Sequence, residues 1–284
     1  MSTADELVRI ARSLGRAVDR LRFSSPVVHV YNPLDYAWAM HEAYLRRFAA
    51  TPKCVVFVGM NPGPFGMMQT GVPFGEVAAV RDWMRLDAPL LRPAHQHPKR
   101  PIEGLGCRRS EVSGQRVWGW AASRFGSPES FFEHAIVLNY CPLVFLAESG
   151  RNCTPDKLPA AELQPLQHAC DRHLRRALDV LAPQWAIGIG GYAAKRLGVV
   201  LGDGRGSRGD GGDRGAANAA GIAGVAGVAT RTGAIRIGQI LHPSPASPLA
   251  NRGWATQVDA QLEALGVLEL LPGYRRPRRE QDAV

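Results

Sequence analysis

Residues 54–67 read CVVFVGMNPGPFGM, and the run continues through Gly71-Val72-Pro73-Phe74-Gly75. Cys54 to Val58 is a short apolar stretch rich in β-branched side chains, the pattern of a strand buried on both faces. Gly and Pro then end the regular structure at once, so a loop of defined shape leaves the strand's carboxyl end. In open α/β sheets ligands bind beside such ends. Asn61 stands there, and its amide offers one carbonyl acceptor and two N–H donors to a small polar group.

The same arrangement recurs near the other end of the chain. Residues 235–241 form a second apolar run, followed by His242-Pro243-Ser244-Pro245-Ala246-Ser247-Pro248-Leu249-Ala250-Asn251-Arg252-Gly253-Trp254. Two further strands are expected at 135–139, ending on Asn139, and at 185–189. Helical spacing marks 3–21, with Thr3 and Glu6 as a capping box, and 36–50, 76–86, 192–200 and 254–265. A helix over 158–182 is expected to break near Pro165. Strands alternating with helices give a parallel sheet covered on both faces. Asn61 and His242 each follow a strand, and Asn139 ends one.

Three segments stand apart. Residues 87–115 are polar, basic and rich in proline, and a connection of that length is usually functional. Residues 201–230 hold ten glycines and no aromatic residue. They read as a flexible insertion that cannot bury enough apolar surface to order itself. The tail at 272–284, with Arg275, Arg276, Arg278 and Arg279, is expected to be disordered.

Long motifs in a fixed order carry a family resemblance. GMNPGPFGMMQTGVPFGEV (59–77), HPKRPIEGLGC (97–107), SEVSGQRVWGW (110–120), NYCPLVFL (139–146) and HPSPASPLANRGW (242–254) together resemble the uracil-DNA glycosylase superfamily, most closely its single-strand-selective monofunctional branch. The resemblance implies a three-layer α/β/α sandwich with a four-stranded parallel central sheet. Residues 25–271 would form that single domain, and residues 1–24 a helix packed on it.

The resemblance also implies roles. His242 would donate to the uracil oxygen that gains charge as the glycosidic bond breaks, and Asn61 would hold the attacking water. The base pocket would comprise Met60, Gly63, Phe65, Met67, Phe74 and Asn139, with Phe74 stacked on the flipped base and Asn139 reading its edge. Gly63 stands where classical members carry a tyrosine that blocks the thymine methyl, so the resemblance implies room at C5 for substituents such as hydroxymethyl. Ser244, Pro245, Ala246, Ser247, Leu249, Asn251 and Arg252 would contact DNA through a wedging loop. Family members often carry a basic residue where Ala246 stands. The resulting activity is removal of uracil and C5-oxidised uracils. The alternatives are a same-fold glycosylase shifted toward deaminated purines such as xanthine, and a non-catalytic binder of damaged or single-stranded DNA.

Composition agrees with a polyanion partner. The net charge is +9 over 284 residues, and basic proteins attract nucleic acid. Only Lys53, Lys99, Lys157 and Lys195 are lysines among the 34 basic residues. Only Lys99 falls in a motif, and none lies in the two that hold Asn61 and His242, so no Schiff-base lyase step is expected. The five cysteines are scattered in no zinc-like spacing, and neither metal nor other cofactor is expected. Some superfamily members hold an iron–sulfur cluster through four cysteines, but none here precedes Cys54. No apolar run approaches the ~20 residues of a membrane span. The expected protein is an intracellular monomer acting on single- and double-stranded DNA.

Overall fold

The computed structural model describes residues 1–202, 226–230 and 233–277. Helix α1 spans Thr3–Val18 and buries Leu7, Ile10, Ala11, Leu14 and Val18. Its capping box sits one residue earlier than the sequence pattern suggested. Ser2 accepts from the Asp5 N–H, and the Asp5 carboxylate accepts from the Ser2 N–H. Strand β1 (His29–Tyr31) and the single turn α2 (Pro33–Tyr36) follow. The helix expected over 36–50 divides at Ala37, whose backbone leaves the helical region, and α3 runs Trp38–Phe48.

Strand β2 is Val55–Gly59 and is buried along its whole length. The short α4 covers Met67–Thr70. The helical stretch near 76–86 contains a π-helical turn at Ala79–Trp83. Next come α5 (Val112–Phe125), α6 (Pro128–Phe132), β3 (Ala135–Asn139), β4 (Val144–Leu146) and β5 (Asn152–Cys153). Helix α7 runs unbroken over Ala160–Leu181 despite Pro165. That proline lies near the amino end, where it removes one helical hydrogen bond and leaves the long remainder intact. Strand β6 (Trp185–Ile189), α8 (Gly191–Gly202), β7 (Ala226–Thr230), β8 (Gly233–Ile240) and α9 (Trp254–Ala264) complete the order.

The main sheet has the order β3-β2-β6-β8-β7. Its first four strands are parallel, as expected. The fifth is a correction. β7 pairs antiparallel with β8, so residues 226–230 of the segment read as a flexible insertion form an edge strand. Their Gly- and Ala-rich composition hid them, because strand signals rest on larger β-branched or aromatic side chains. The start of that segment also closes α8. Residues 203–225 lie outside the description. A second sheet, β1-β4-β5, is antiparallel; its strands of two or three residues are too short to show a period.

Helix α1 packs on α3 and α7, and α7 on α8, while α5 packs on α6 and α9. These groups clothe the sheet as the outer layers of a three-layer sandwich. β2 leads to β3 on one side, and the chain then crosses to β6 on the other. That reversal makes a switch point at the strands' carboxyl ends. The register is direct there, since Gly59 pairs with Asn139 and Ile189 with Ile240. In the tail, the Arg275 N–H donates to the Arg124 carbonyl and Arg276 pairs with Glu263, so the part through 277 is placed against the domain. Residues 278–284 lie outside the description.

The 87–115 connection is pinned from beneath by a buried amide. Gln69 donates to the Pro64 and Pro101 carbonyls at 3.2 and 3.0 Å. Its oxygen accepts from the Glu103 and Gly104 N–H groups at 2.8 and 3.2 Å. One side chain thus joins the glycine loop after β2 to the long loop. Gln69→Leu is expected to lower stability by about 2–3 kcal/mol, because buried polar groups lose their partners. Denaturant titration, with protease cutting within 97–107 as a second readout, checks this.

Two buried imidazoles set a pH dependence. Burial holds His41 and His173 down to about 4. The unfolded chain, titrating near 6.5, therefore binds more protons between those values. Stability is full above about pH 6.5 and falls as pH drops toward 4, by up to about 3 kcal/mol per histidine. Urea titration across that window should show the fall, and His173→Leu should make it shallower. A level wild-type profile would contradict it.

Candidate active site

A cleft of about 440 Å³ opens at the carboxyl ends of the parallel strands. Asn61, Asn139 and His242 all line it. β2 delivers Asn61 two residues past its end, β3 ends on Asn139, and β8 delivers His242 two residues past Ile240.

Asn139 is buried. Its Nδ2 donates to the Met67 sulfur at 3.2 Å. Its Oδ1 is buried and, among the described residues, accepts from nothing. A buried acceptor without a donor costs about 1–3 kcal/mol, so the atom is poised for an N–H that arrives from the cleft. Met67 does not line the cleft. It lies behind Asn139 and fixes which end of the amide faces outward.

Phe74 lines the same cleft with a positive φ of 52°. Such a backbone costs of order 1–3 kcal/mol and gathers at functional sites. Two donors hold it: the Trp118 indole N–H and the Glu76 N–H both reach the Phe74 carbonyl, at 3.0 and 2.7 Å. Its ring centroid lies 6.5 Å from that of His242.

His242 has a defined tautomer. The Ser244 N–H donates to Nδ1 at 3.1 Å, which leaves the proton on Nε2 as a donor. Burial lowers the imidazole pKa, so the ring is neutral at pH 7. Gly190, at φ 90°, lies beneath it, and a Cβ there would stand 3.1 Å from the His242 Cβ.

Asn61 donates from Nδ2 to the Leu143 carbonyl at 3.2 Å and to the Pro62 carbonyl at 3.4 Å. The amide is thereby turned to offer its oxygen to the cleft. Met60 and Phe65 line the wall. The Phe65 ring carries the Arg109 guanidinium at 4.1 Å and that of Arg100 at 5.3 Å, which brings positive charge to the rim.

The space over Gly63 differs from expectation. It is taken by the Glu111 carboxyl: a Cβ on Gly63 would fall 1.6 Å from Oε1, and one on Gly66 2.0 Å from Oε2. Burial, with Glu76 nearby, pushes this carboxyl up to about 7. The sequence motif 110–120 contains Glu111, but nothing in the motif alone brings it onto the glycines.

The loop after His242 is braced from inside. Arg116 donates to the Pro243 and Ser244 carbonyls at 3.0 and 3.4 Å and to Asn251 Oδ1 at 2.8 Å. Asn251 in turn donates to the Pro245 carbonyl at 2.9 Å, so this residue shapes the loop. Ser244 and Pro245 line the cleft, and Ser244 Oγ and Ser247 Oγ accept from the Ala246 and Ala250 N–H groups. Leu249 is 53% exposed, an isolated large apolar side chain at the tip. Arg252 is exposed and, among the described residues, its guanidinium makes no hydrogen bond. Arg116 escaped the sequence reading because its partners lie more than a hundred residues away.

No lysine lines the cleft. Among the described residues, no group of three or more His, Cys, Asp or Glu side chains is arranged to hold a metal ion, and no helix is long and apolar enough to cross a membrane.

Residues 46–263 match the model of the uracil DNA glycosylase superfamily. The chain is 42% identical over 270 residues to the single-strand selective monofunctional uracil-DNA glycosylase of Rattus norvegicus, covering 95% of this chain and 87% of the relative. The Mus musculus protein of that name is 42% identical over 278 residues, covering 97% and 90%. The crystal structure of wild-type Pedobacter heparinus SMUG2 superposes with a TM-score of 0.60 at 17% identity, over 95% of this chain and 99% of that one, which is a likeness of fold. The family match runs from the last turns of α3 to those of α9 and takes in every strand end that feeds the cleft; the chain belongs to the uracil-DNA glycosylase superfamily.

Proposed function

We propose that the protein is a monofunctional DNA glycosylase that releases uracil, and C5-oxidised uracils such as 5-hydroxymethyluracil, from DNA. The observation that carries this is the Asn139 oxygen, buried and without a donor at the end of β3. Uracil presents an N–H at N3 beside its O4 carbonyl. Cytosine presents an acceptor at N3 and would leave this oxygen unpaired, which disfavours it by about 1–3 kcal/mol.

The target nucleotide must leave the stack to enter the cleft. Phe74 offers a face for the base, worth about 1–3 kcal/mol. A water held by the Asn61 oxygen adds to C1′ as the C1′–N1 bond breaks. The bonding electrons pass to the base, where charge collects on O2, and the His242 Nε2–H donates there. The surplus water proton neutralises the departing anion, leaving an abasic sugar and free uracil. A neutral imidazole suits this role, since it donates without having to lose a charge. The cleft's lack of a lysine supports hydrolysis without a covalent imine. Exposed Leu249 supports a wedge that fills the vacated stack, and the Arg109 and Arg100 guanidiniums at the rim support attraction for phosphate. The similarity to uracil-DNA glycosylases of Rattus norvegicus and Mus musculus supports the same chemistry. The 5-hydroxymethyl breadth rests on the absence of a side chain at residue 63.

His242→Ala is expected to lower base release by about 10²–10³-fold, the scale of a lost oxyanion donor, while binding of uracil-containing DNA stays near wild type. Single-turnover assays on oligonucleotides carrying one uracil, 5-hydroxymethyluracil or xanthine, in single and double strands, measure this and the substrate range together. Release of xanthine alone would move the substrate to deaminated purines. Binding without any abasic product would make the protein a damage binder.

A further inference from the structure

We propose that Glu111 is a specificity-determining residue, whose carboxyl recognises a polar C5 substituent of the flipped base. The proposal rests on the uracil reading above, which puts C5 toward Gly63.

Two glycines form the seat. Built Cβ atoms at Gly63 and Gly66 would fall 1.6 and 2.0 Å from the two carboxyl oxygens. Neither position therefore accepts a side chain while Glu111 stays where it is. The carboxyl lines the cleft, so it forms the surface that residue 63 leaves open. Glu111 precedes α5 at the capping position but makes no capping hydrogen bond with its side chain. Among the described residues, no donor pairs with its carboxyl. The arginines that flank it in sequence are engaged elsewhere: Arg109 lies over the Phe65 ring, and Arg116 holds the 243–251 loop.

A carboxyl without a partner, set in a cleft wall, calls for a polar occupant. With its pKa pushed up to about 7, it exists in both forms near neutrality and can donate as well as accept. A hydroxymethyl group at C5 exchanges a hydrogen bond with either form. With plain uracil, a water takes that place. An apolar group there would leave the carboxyl unpaired. A residue that only propped up the glycine loop would affect all bases alike.

The test compares wild type with Glu111→Leu, Glu111→Ala and Glu111→Gln. Single-turnover rates are read on two identical oligonucleotides, one with uracil and one with 5-hydroxymethyluracil, and melting temperatures accompany them. The expected result is a fall of about tenfold or more in the 5-hydroxymethyluracil-to-uracil rate ratio for Leu and Ala, the scale of one lost hydrogen bond of about 1.4 kcal/mol. Gln, which keeps an acceptor and a donor at the same reach, is expected to hold the ratio within about threefold. If Leu fails to fold, Ala carries the comparison. Equal losses on both substrates would overturn the proposal and leave the functional reading standing. Release of uracil but not 5-hydroxymethyluracil by wild type would overturn it together with the breadth claim. No release of either base by wild type would instead sink the functional reading itself.

Discussion

The pocket depends on a close approach that only glycine permits. At Gly59 a Cβ would stand 2.4 Å from the Phe74 ring and 2.5 Å from Asn139 Oδ1. The last residue of β2 has to be bare so that the Phe74 ring and the Asn139 amide can converge over it. Its pairing with Asn139 across the β2–β3 register fixes the separation. The backbone continues the pairing one step further, with the Tyr140 and Cys141 N–H groups donating to the Gly59 and Met60 carbonyls, both at 2.9 Å. The sheet therefore extends to the floor of the site, and its rigidity is passed to the side chains that line it.

Around that floor the protein uses glycines to seat other groups. Gly63 and Gly66 carry Glu111, and Gly190 lies beneath His242. A glycine in such a motif marks a place where a second element approaches. The resemblance alone suggested that Gly63 opens space. The geometry adds that a carboxyl from the start of α5 takes up the space over Gly63 and Gly66, so that wall of the cleft is polar. Phe74 shows the complementary device. Its strained backbone is held by Trp118 and Glu76, residues whose contribution lies in packing and hydrogen bonding away from the cleft.

Much of the architecture was legible because it rests on local pattern. The four parallel strands are short apolar runs bounded by Gly, Pro or Asn, and the sheet implied by the family resemblance brings Asn61, Asn139 and His242 to one crevice. Elements without such a pattern were missed. β7 is built from small residues in a glycine-rich stretch, and β1, β4 and β5 are too short to show a period. Pro165 misled in the opposite direction, since a proline near a helix start costs little. Within the site, Asn61, Asn139, Phe74 and His242, which line the cleft, were readable, and the residues that brace them were not. Gln69, Arg116 and Glu111 join segments distant in sequence, and no spacing rule records that a side chain at 116 will hold a loop at 243–251.

The chemistry and the electrostatics fit each other. In the proposed mechanism Asn61, a neutral amide, activates water weakly, in contrast to a carboxylate. Breaking the bond must then draw most of its help from the leaving side. Uracil can serve there because its negative charge spreads onto O2. A preorganised donor stabilises that charge as it forms, and the tautomer set by the Ser244 N–H provides one without adding a cation to the pocket. A permanent positive charge at that position would bind a neutral base no better and would attract phosphate into the pocket. Burial lowers the His242 pKa, so the ring adds no formal charge to the cleft, and the positive charge lies at the rim, on Arg109 and Arg100. On the proposed reading, selectivity for uracil over cytosine comes from the unpaired Asn139 oxygen rather than from net charge.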